Sequence, residues 1–402
     1  MGGDLRRGAW EKPVTDQAEH HHSIGEPLSQ EADALINPET QVEIPPAEQM
    51  SLVARLRQPR TVLSIAVPLA IIAVAVALNW KQMQDVPGDI GRANPWLILG
   101  AFGIYYLGFP LRGWRWTKLL RGAGYKVKIK DGTEILFLSW LVNCIVPAKL
   151  GDIYRAYLLK LNSPVSATRT LGTVFMERIL DLIAVAALGV LAGYWHFRDH
   201  LNTLPAAAQI SLTFGVIVVV LLTVALVAMR SFGRKVMSVL PLPRRAIEFY
   251  DRFEEGVFGS VGARGMPLLG LMTVLIWMTE ALRLYLVVRA LNFTGVDLGF
   301  SGALFVALIG SLLTAIPFTP GGIGLVEGGM IGVLTGGFGV SWAHSAAIVL
   351  VDRAISVFSI VVLGGIAYML SSKPRGGGIE VEDLRLTKPL AATAGDSARA
   401  SV

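Results

Sequence analysis

Seven ionisable residues stand where a hydrocarbon environment is expected. Glu177, Arg178 and Asp181 interrupt the apolar stretch Thr170–Trp195, Glu280 and Arg283 interrupt Pro267–Ala290, and Asp352 and Arg353 lie within Ser341–Leu370. Charges in such stretches face a bundle interior or a water-filled cavity, where they serve proton relay or the binding of a polar group. Residues three or four apart share one helical face, so Glu177, Arg178 and Asp181 can act together. They can equally pair as clamps between helices, with Glu280–Arg283 the simplest such pair. Seven charges in three stretches exceed what cohesion needs.

A second set of residues breaks helices. Asn143, Pro147, Lys149, Gly151, Asp152 and Arg155 form one cluster, and Pro317, Pro320, Gly321, Gly322, Gly324 and Glu327 form another. Proline and glycine inside an apolar run free backbone amides and carbonyls. In the first cluster Lys149 and Arg155 add cations and Asp152 a carboxylate, a set suited to a phosphate group. The second has the same breakers with Glu327 as its charge. The glycines also admit a plainer reading, close packing between helices.

The surrounding elements are those of an all-α integral membrane protein. The 402 residues are 53% hydrophobic and 16% charged, outside the range of ordinary soluble domains. Six apolar runs are long enough to cross a bilayer: Thr61–Asn79, Pro95–Leu111, Thr170–Trp195, Ala206–Met229, Pro267–Ala290 and Ser341–Leu370. Two more, about 133–147 and 301–339, are cut by Pro and Gly and read as re-entrant or broken-helix hairpins. Seven Lys/Arg lie between Arg112 and Lys130 and seven between Arg230 and Arg264, so these loops and both termini are expected on the cytoplasmic side of the cytoplasmic membrane. Arg112-Gly-Trp114-Arg115-Trp116 reads as a headgroup-level anchor of a helix end.

The pattern occurs twice. Residues 133–195 and 301–370 share their features at displacements of 168 to 175 residues, and three intervening crossings make the second copy inverted. A connector at 231–265 alternates charge with apolar residues, either as an amphipathic surface helix or as an ordinary loop with one short helix. Residues 1–54 and 371–402 are polar or small and are expected to be disordered cytoplasmic tails. His20-His21-His22 falls in the first tail and is expected to be solvent-exposed. Cys144, the one cysteine, excludes an intrachain disulfide. The net charge of +6 suits topology and anionic lipid rather than nucleic acid. No Gly-x-x-x-x-Gly-Lys-Ser/Thr loop occurs, and no cofactor or metal is expected.

Asn143–Arg155, Glu177-Arg178 and the Pro-Gly-Gly-Ile-Gly-Leu-Val-Glu run at 320–327 resemble the lysylphosphatidylglycerol synthase transmembrane region, a family of flippase-like membrane proteins. The resemblance covers about 55–370 and implies movement of lipids across the bilayer. It implies that Lys149, Gly151, Asp152, Arg155, Glu177, Arg178, Pro320, Gly321, Gly322, Gly324 and Glu327 line the headgroup path. Bifunctional members add an aminoacyl transferase, and other relatives a glycosyltransferase. Neither tail is expected to supply one, so no transferase activity is carried over. The expectation is a non-enzymatic translocase of an anionic or aminoacylated phospholipid or lipid-linked headgroup. Its alternatives are a membrane-embedded transferase and a scaffold for a separate lipid-modifying or glycosyltransferase enzyme.

Overall fold

Asparagine, proline and glycine set where the helices start and stop. A computed structural model describes residues 86–197, 206–239, 243–262, 264–314 and 319–385, with single positions at 77, 84 and 316. The expected span Thr61–Asn79, the N-terminal tail and Pro317 lie outside these described residues.

After the short helix α1 (Val86–Gly91), α2 (Pro95–Gly122) begins at an Asn94 cap whose side chain accepts from the Trp96 amide at 3.0 Å, with Pro95 at the first helical position. Its antiparallel partner is α8 (Met266–Leu291), which ends at Asn292 in the left-handed region. The direction follows from paired positions. The Asn94 amide donates to the Ala290 carbonyl, Gly100 faces Leu286, Gly108 faces Thr279, and Arg115 reaches Thr273. Glycine on α2 lets the two backbones approach.

Between them come a strand β1 (Tyr125–Val127), α3 (Ile129–Ile145), α4 (Leu150–Asn162), α5 (Ala167–Phe197), α6 (Ala206–Val239) and the connector helix α7 (Arg244–Gly259). The break expected near Pro147 falls between α3 and α4. Val146 is extended, and Ala148 and Lys149 take positive φ of 63° and 52°, uncommon for residues with a Cβ. Gly151 seats α4 on α3, because any side chain there would run into the Ser139 carbonyl and Asn143. The connector is a helix held against α5, where Gly172 and Gly256 meet backbone to backbone.

The second broken stretch is α9 (Gly299–Thr314), a 3-10 turn (Pro320–Gly322) and α10 (Leu325–Phe338). Gly302 lies against Phe338, Gly310 against Met330, and Gly329 against Leu313, so its limbs run antiparallel as a hairpin. Gly321, Gly322 and Gly324 all have positive φ, which is what the reversal requires. The last long helix is continuous over Trp342–Leu370 but changes character: α11 (Trp342–Arg353), a π-helical turn (Ala354–Phe358), then α12 (Ser359–Leu370). At that turn the Ser356 carbonyl accepts from the Tyr105 hydroxyl at 2.8 Å.

The described chain is therefore mostly helical, and three helical runs are long and apolar enough to cross a membrane by length and composition: Met266–Leu291, Pro320–Phe338 and Trp342–Leu370. Helices α2 and α5 have the length, at 28 and 31 residues, but carry buried charge. The second limb of the second hairpin, expected as part of a re-entrant element, is itself long and apolar enough to span.

One expectation is corrected directly. Residues 371–385, placed in a disordered tail, hold a 3-10 turn at Lys373–Arg375 and a strand β2 (Val381–Asp383) antiparallel to β1, with Tyr125 opposite Asp383. Polar anchors explain the order: Ser371 donates to Glu134 at 2.6 Å, Lys373 lies 3.0 Å from Asp131, and the Ile379 amide donates to the Asn162 carbonyl. Residues 386–402 lie outside the described residues.

Candidate functional site

The two broken hairpins meet. A side chain placed on Gly321 would lie 3.7 Å from the Cys144 Cα, so the turn of the second hairpin rests on the end of α3. Around this junction the intramembrane charges assemble into two networks.

In the first network Arg178 of α5 grips Asp152 of α4 with both prongs of its guanidinium, Nε to Oδ2 and Nη2 to Oδ1, each at 2.9 Å. This forked geometry is the strongest form of the pair. Asp152 is the third residue of α4, so its carboxylate also complements the helix N-terminus. Asn143 completes the corner, accepting from the Gly151 amide at 2.8 Å. One position along α5, Glu177 receives Arg155 at 2.8 Å and lies 3.3 Å from Arg115, while Arg115 also donates to Asp181 at 2.6 Å.

The second network repeats the first. Arg353 donates Nε to Glu327 at 2.6 Å, and Glu327 is the third residue of α10. The acid and the arginine are 26 residues apart, as are Asp152 and Arg178. Glu327 also accepts from the Gly324 amide at 2.6 Å, and Arg353 donates to the Gly321 carbonyl, so one arginine holds both ends of the turn. The residue before Arg353, Asp352, is gripped by Arg283 at 2.8 and 3.1 Å, as Glu177 is held by Arg115.

Glu280 extends the second network to α2. It pairs with Arg283, as its spacing suggested, and also with Arg112 of α2. Here the reading of 112–116 as a headgroup anchor is corrected: Arg112 and Arg115 are 4% and 1% exposed and committed to carboxylates, and Trp114 alone of the cluster reaches the surface. Sequence reasoning assigned neither arginine to the site. A signal existed, because Arg112 to Glu280 and Arg115 to Arg283 are each displaced by 168 residues, the same displacement as Leu136 to Leu304.

Each network holds three arginines against three carboxylates: Arg115, Arg155 and Arg178 with Asp152, Glu177 and Asp181, then Arg112, Arg283 and Arg353 with Glu280, Asp352 and Glu327. Lys149 is left over. Its ammonium has no hydrogen-bond or ion-pair partner among the described residues, is half-buried at the break of the first hairpin, and lies near Arg178, whose side chain remains 27% exposed. Arg155, expected to line a path, is instead completely buried; its Nε and Nη2 make no hydrogen bond, though Nη2 lies 3.7 Å from Asp152. It therefore positions Glu177. Pro147, Gly321 and Gly324 are half-buried at the junction, while Gly151, Pro320 and Gly322 are buried in its packing.

The chain is similar in sequence to known proteins. A family model described as the lysylphosphatidylglycerol synthase TM region matches residues 62–364. A UPF0104 membrane protein of Methanocaldococcus jannaschii is 34% identical over 231 residues, covering 57% of this chain and 93% of that protein. A UPF0104 membrane protein of Methanothermobacter thermautotrophicus is 25% identical over 74% of this chain and 90% of its own length. Glycosyltransferase AglD of Haloferax volcanii is 28% identical over 80% of this chain, but the match spans 56% of AglD.

Proposed function

The chain belongs to the lysylphosphatidylglycerol synthase TM region family, and from that premise we propose that it is a non-enzymatic lipid translocase of the cytoplasmic membrane, both termini cytoplasmic. The observation that carries the reading is the surplus cation. Two charge-balanced networks leave Lys149 unpaired beside the partly exposed Arg178, at a helix break in a membrane protein. A half-buried lysine with no ion pair of its own, beside a carboxylate already committed to Arg178, is costly in that setting and is relieved by an anion. A phosphate-bearing headgroup, of an anionic or aminoacylated phospholipid or a lipid-linked sugar, supplies one.

An inverted arrangement of the two hairpins would carry a headgroup past this point, and matched pairs support that arrangement. The matched pairs Asp152–Arg178 and Glu327–Arg353 sit at corresponding turns of the hairpins, and α2 and α8, which carry Arg115 and Arg283 in corresponding roles, run antiparallel. Antiparallel counterparts are what a two-fold axis in the membrane plane generates. Opening one latch while the other stays closed would expose Lys149 to one side at a time. Headgroups would pass the hairpin turns while acyl chains stay in the bilayer.

The test is lipid movement in liposomes holding the purified chain, with fluorescent phosphatidylglycerol, its lysylated form and phosphatidylethanolamine. Headgroup-selective movement that is lost in Lys149→Gln supports the reading. Absence of movement for every lipid by folded, inserted protein removes it.

The match to a relative named a glycosyltransferase favours a second reading, in which the membrane region acts as, or alongside, a transferase on a lipid-linked substrate. Product formation by purified protein given activated donors would decide for it.

A further inference from the structure

A groove of about 540 Å³ runs along the seam between α2 and α8, on the outer face of the bundle and apart from the hairpin junction. Its walls are Leu107, Pro110, Leu111 and Trp114 of α2, Ile129 at the start of α3, and Leu275, Met278, Thr279 and Leu282 of α8. The volume and the apolar lining with a single hydroxyl suit a hydrocarbon ligand. Sequence makes the hollow. Pro110 lies inside α2, and Gly108 beside it has no side chain, so Arg112 Nη1 and Thr279 Oγ1 share the space a Cβ would take. That Nη1 is a buried donor without an acceptor. Leu107, Trp114, Ile129 and Leu275 are exposed along the groove, so it is reached from the lipid side.

Charge identifies the end at which a ligand's head would sit. The wall positions 107, 111 and 114 follow one stripe of α2 at steps of four and three, and the next position on that stripe is Lys118. Ile129 is followed at once by Lys130. Neither lysine has an ion-pair partner among the described residues; Lys118 lies near the end of α2 and Lys130 at the start of α3, the two helix ends that β1 joins. From Leu107 to Trp114 the helix rises roughly 10 Å, enough for part of one acyl chain.

We infer that this groove binds one acyl chain of an anionic phospholipid from the leaflet facing the basic loops, with its phosphate at Lys118 and Lys130. The site rests on membrane residence and not on translocation, so it stands or falls separately from the transport reading. A lipid held there ties the α2–α8 seam together from outside, next to the Arg112–Glu280 pair that ties it from inside.

The experiment is native mass spectrometry of the full chain in detergent with added phosphatidylglycerol or phosphatidylcholine of identical chains. One phosphatidylglycerol should be retained per protein, preferred by roughly tenfold or more as two lysines near a phosphate provide. Lys118→Gln with Lys130→Gln should abolish the preference without shifting the melting temperature, since both residues are unpaired. Met278→Trp, which fills the groove, should lower retention of both lipids. Undiminished preference in the lysine double variant overturns the site, whether or not Met278→Trp folds. So does unchanged retention in Met278→Trp, and so does a shift from dimer to monomer on filling the groove with lipid retention intact, which would make the occupant a second copy of the chain.

Discussion

Arg112 on α2 and Glu280 on α8 form a buried ion pair between two positions displaced by 168 residues, the displacement that also relates Arg115 to Arg283. Identical charges at two positions this close would repel. The chain places opposite charges at this one point, while it repeats arginine at 115 and 283, where each side chain turns to a different partner.

Removing one member of this pair leaves a buried charge uncompensated. Glu280→Gln should therefore lower stability by about 3–5 kcal/mol, and Arg112→Gln combined with Glu280→Gln should recover part of that loss. Thermal unfolding in detergent of the two single variants and the double variant measures the coupling. Strictly additive losses would mean the pair contributes nothing as a pair.

Asp152→Asn and Glu327→Gln each weaken one latch, and the expected effects are matched rather than identical. Both should slow lipid movement at least about tenfold if a latch contributes a charge-assisted bond of 1.5–3 kcal/mol to a closed state. Asp152→Asn should in addition change headgroup preference, because Asp152 also faces Lys149. Flux assays with charged and zwitterionic lipids compare them. Equal, non-selective losses would place the headgroup elsewhere.

The contact between Cys144 and Gly321 offers a direct test of motion at the junction. With a Cβ at position 321 some 3.7 Å from the Cys144 Cα, Gly321→Cys sets two cysteines close enough to cross-link, at the cost of the strain a side chain meets at the φ of 59° there. Oxidation should block lipid movement and reductant should restore it. Full flux through the cross-linked protein would show that the hairpins do not separate during transport.

Gly151→Ala tests how closely α4 must sit on α3. The added methyl meets the Ser139 carbonyl, which is backbone and cannot swing aside, so a cost of about 1–3 kcal/mol is expected. Gly328→Ala, where a side chain meets open space, serves as the control and should leave the melting temperature in place.

Much of the site was legible as composition and spacing. Pro147, Gly151, Pro320 and Gly324 marked the breaks because proline and glycine act on their own backbone, whatever surrounds them. Charges inside apolar runs marked Glu177, Arg178, Asp352 and Arg353, because hydrocarbon penalises an ion wherever it stands. These are local penalties, and one sequence is enough to read them.

Partners were not legible, because they depend on which helix lies beside which, and at what register. Glu280–Arg283 was visible at a spacing of three, but the Arg112 that completes it comes from a helix 168 residues away. Arg112 and Arg115 looked like interfacial anchors because they begin the basic segment after an apolar run, and only the packing of α2 against α5 and α8 buries them. The strand β2 was hidden in a small, polar segment with little intrinsic preference, ordered by partners far along the chain such as β1, Glu134, Asn162 and Asp131. The sequence by itself determined a membrane chain with charged, broken helices. The tertiary structure alone decided which charges neutralise one another and left Lys149 over, since pairing is a property of distance between helices and not of order along the chain.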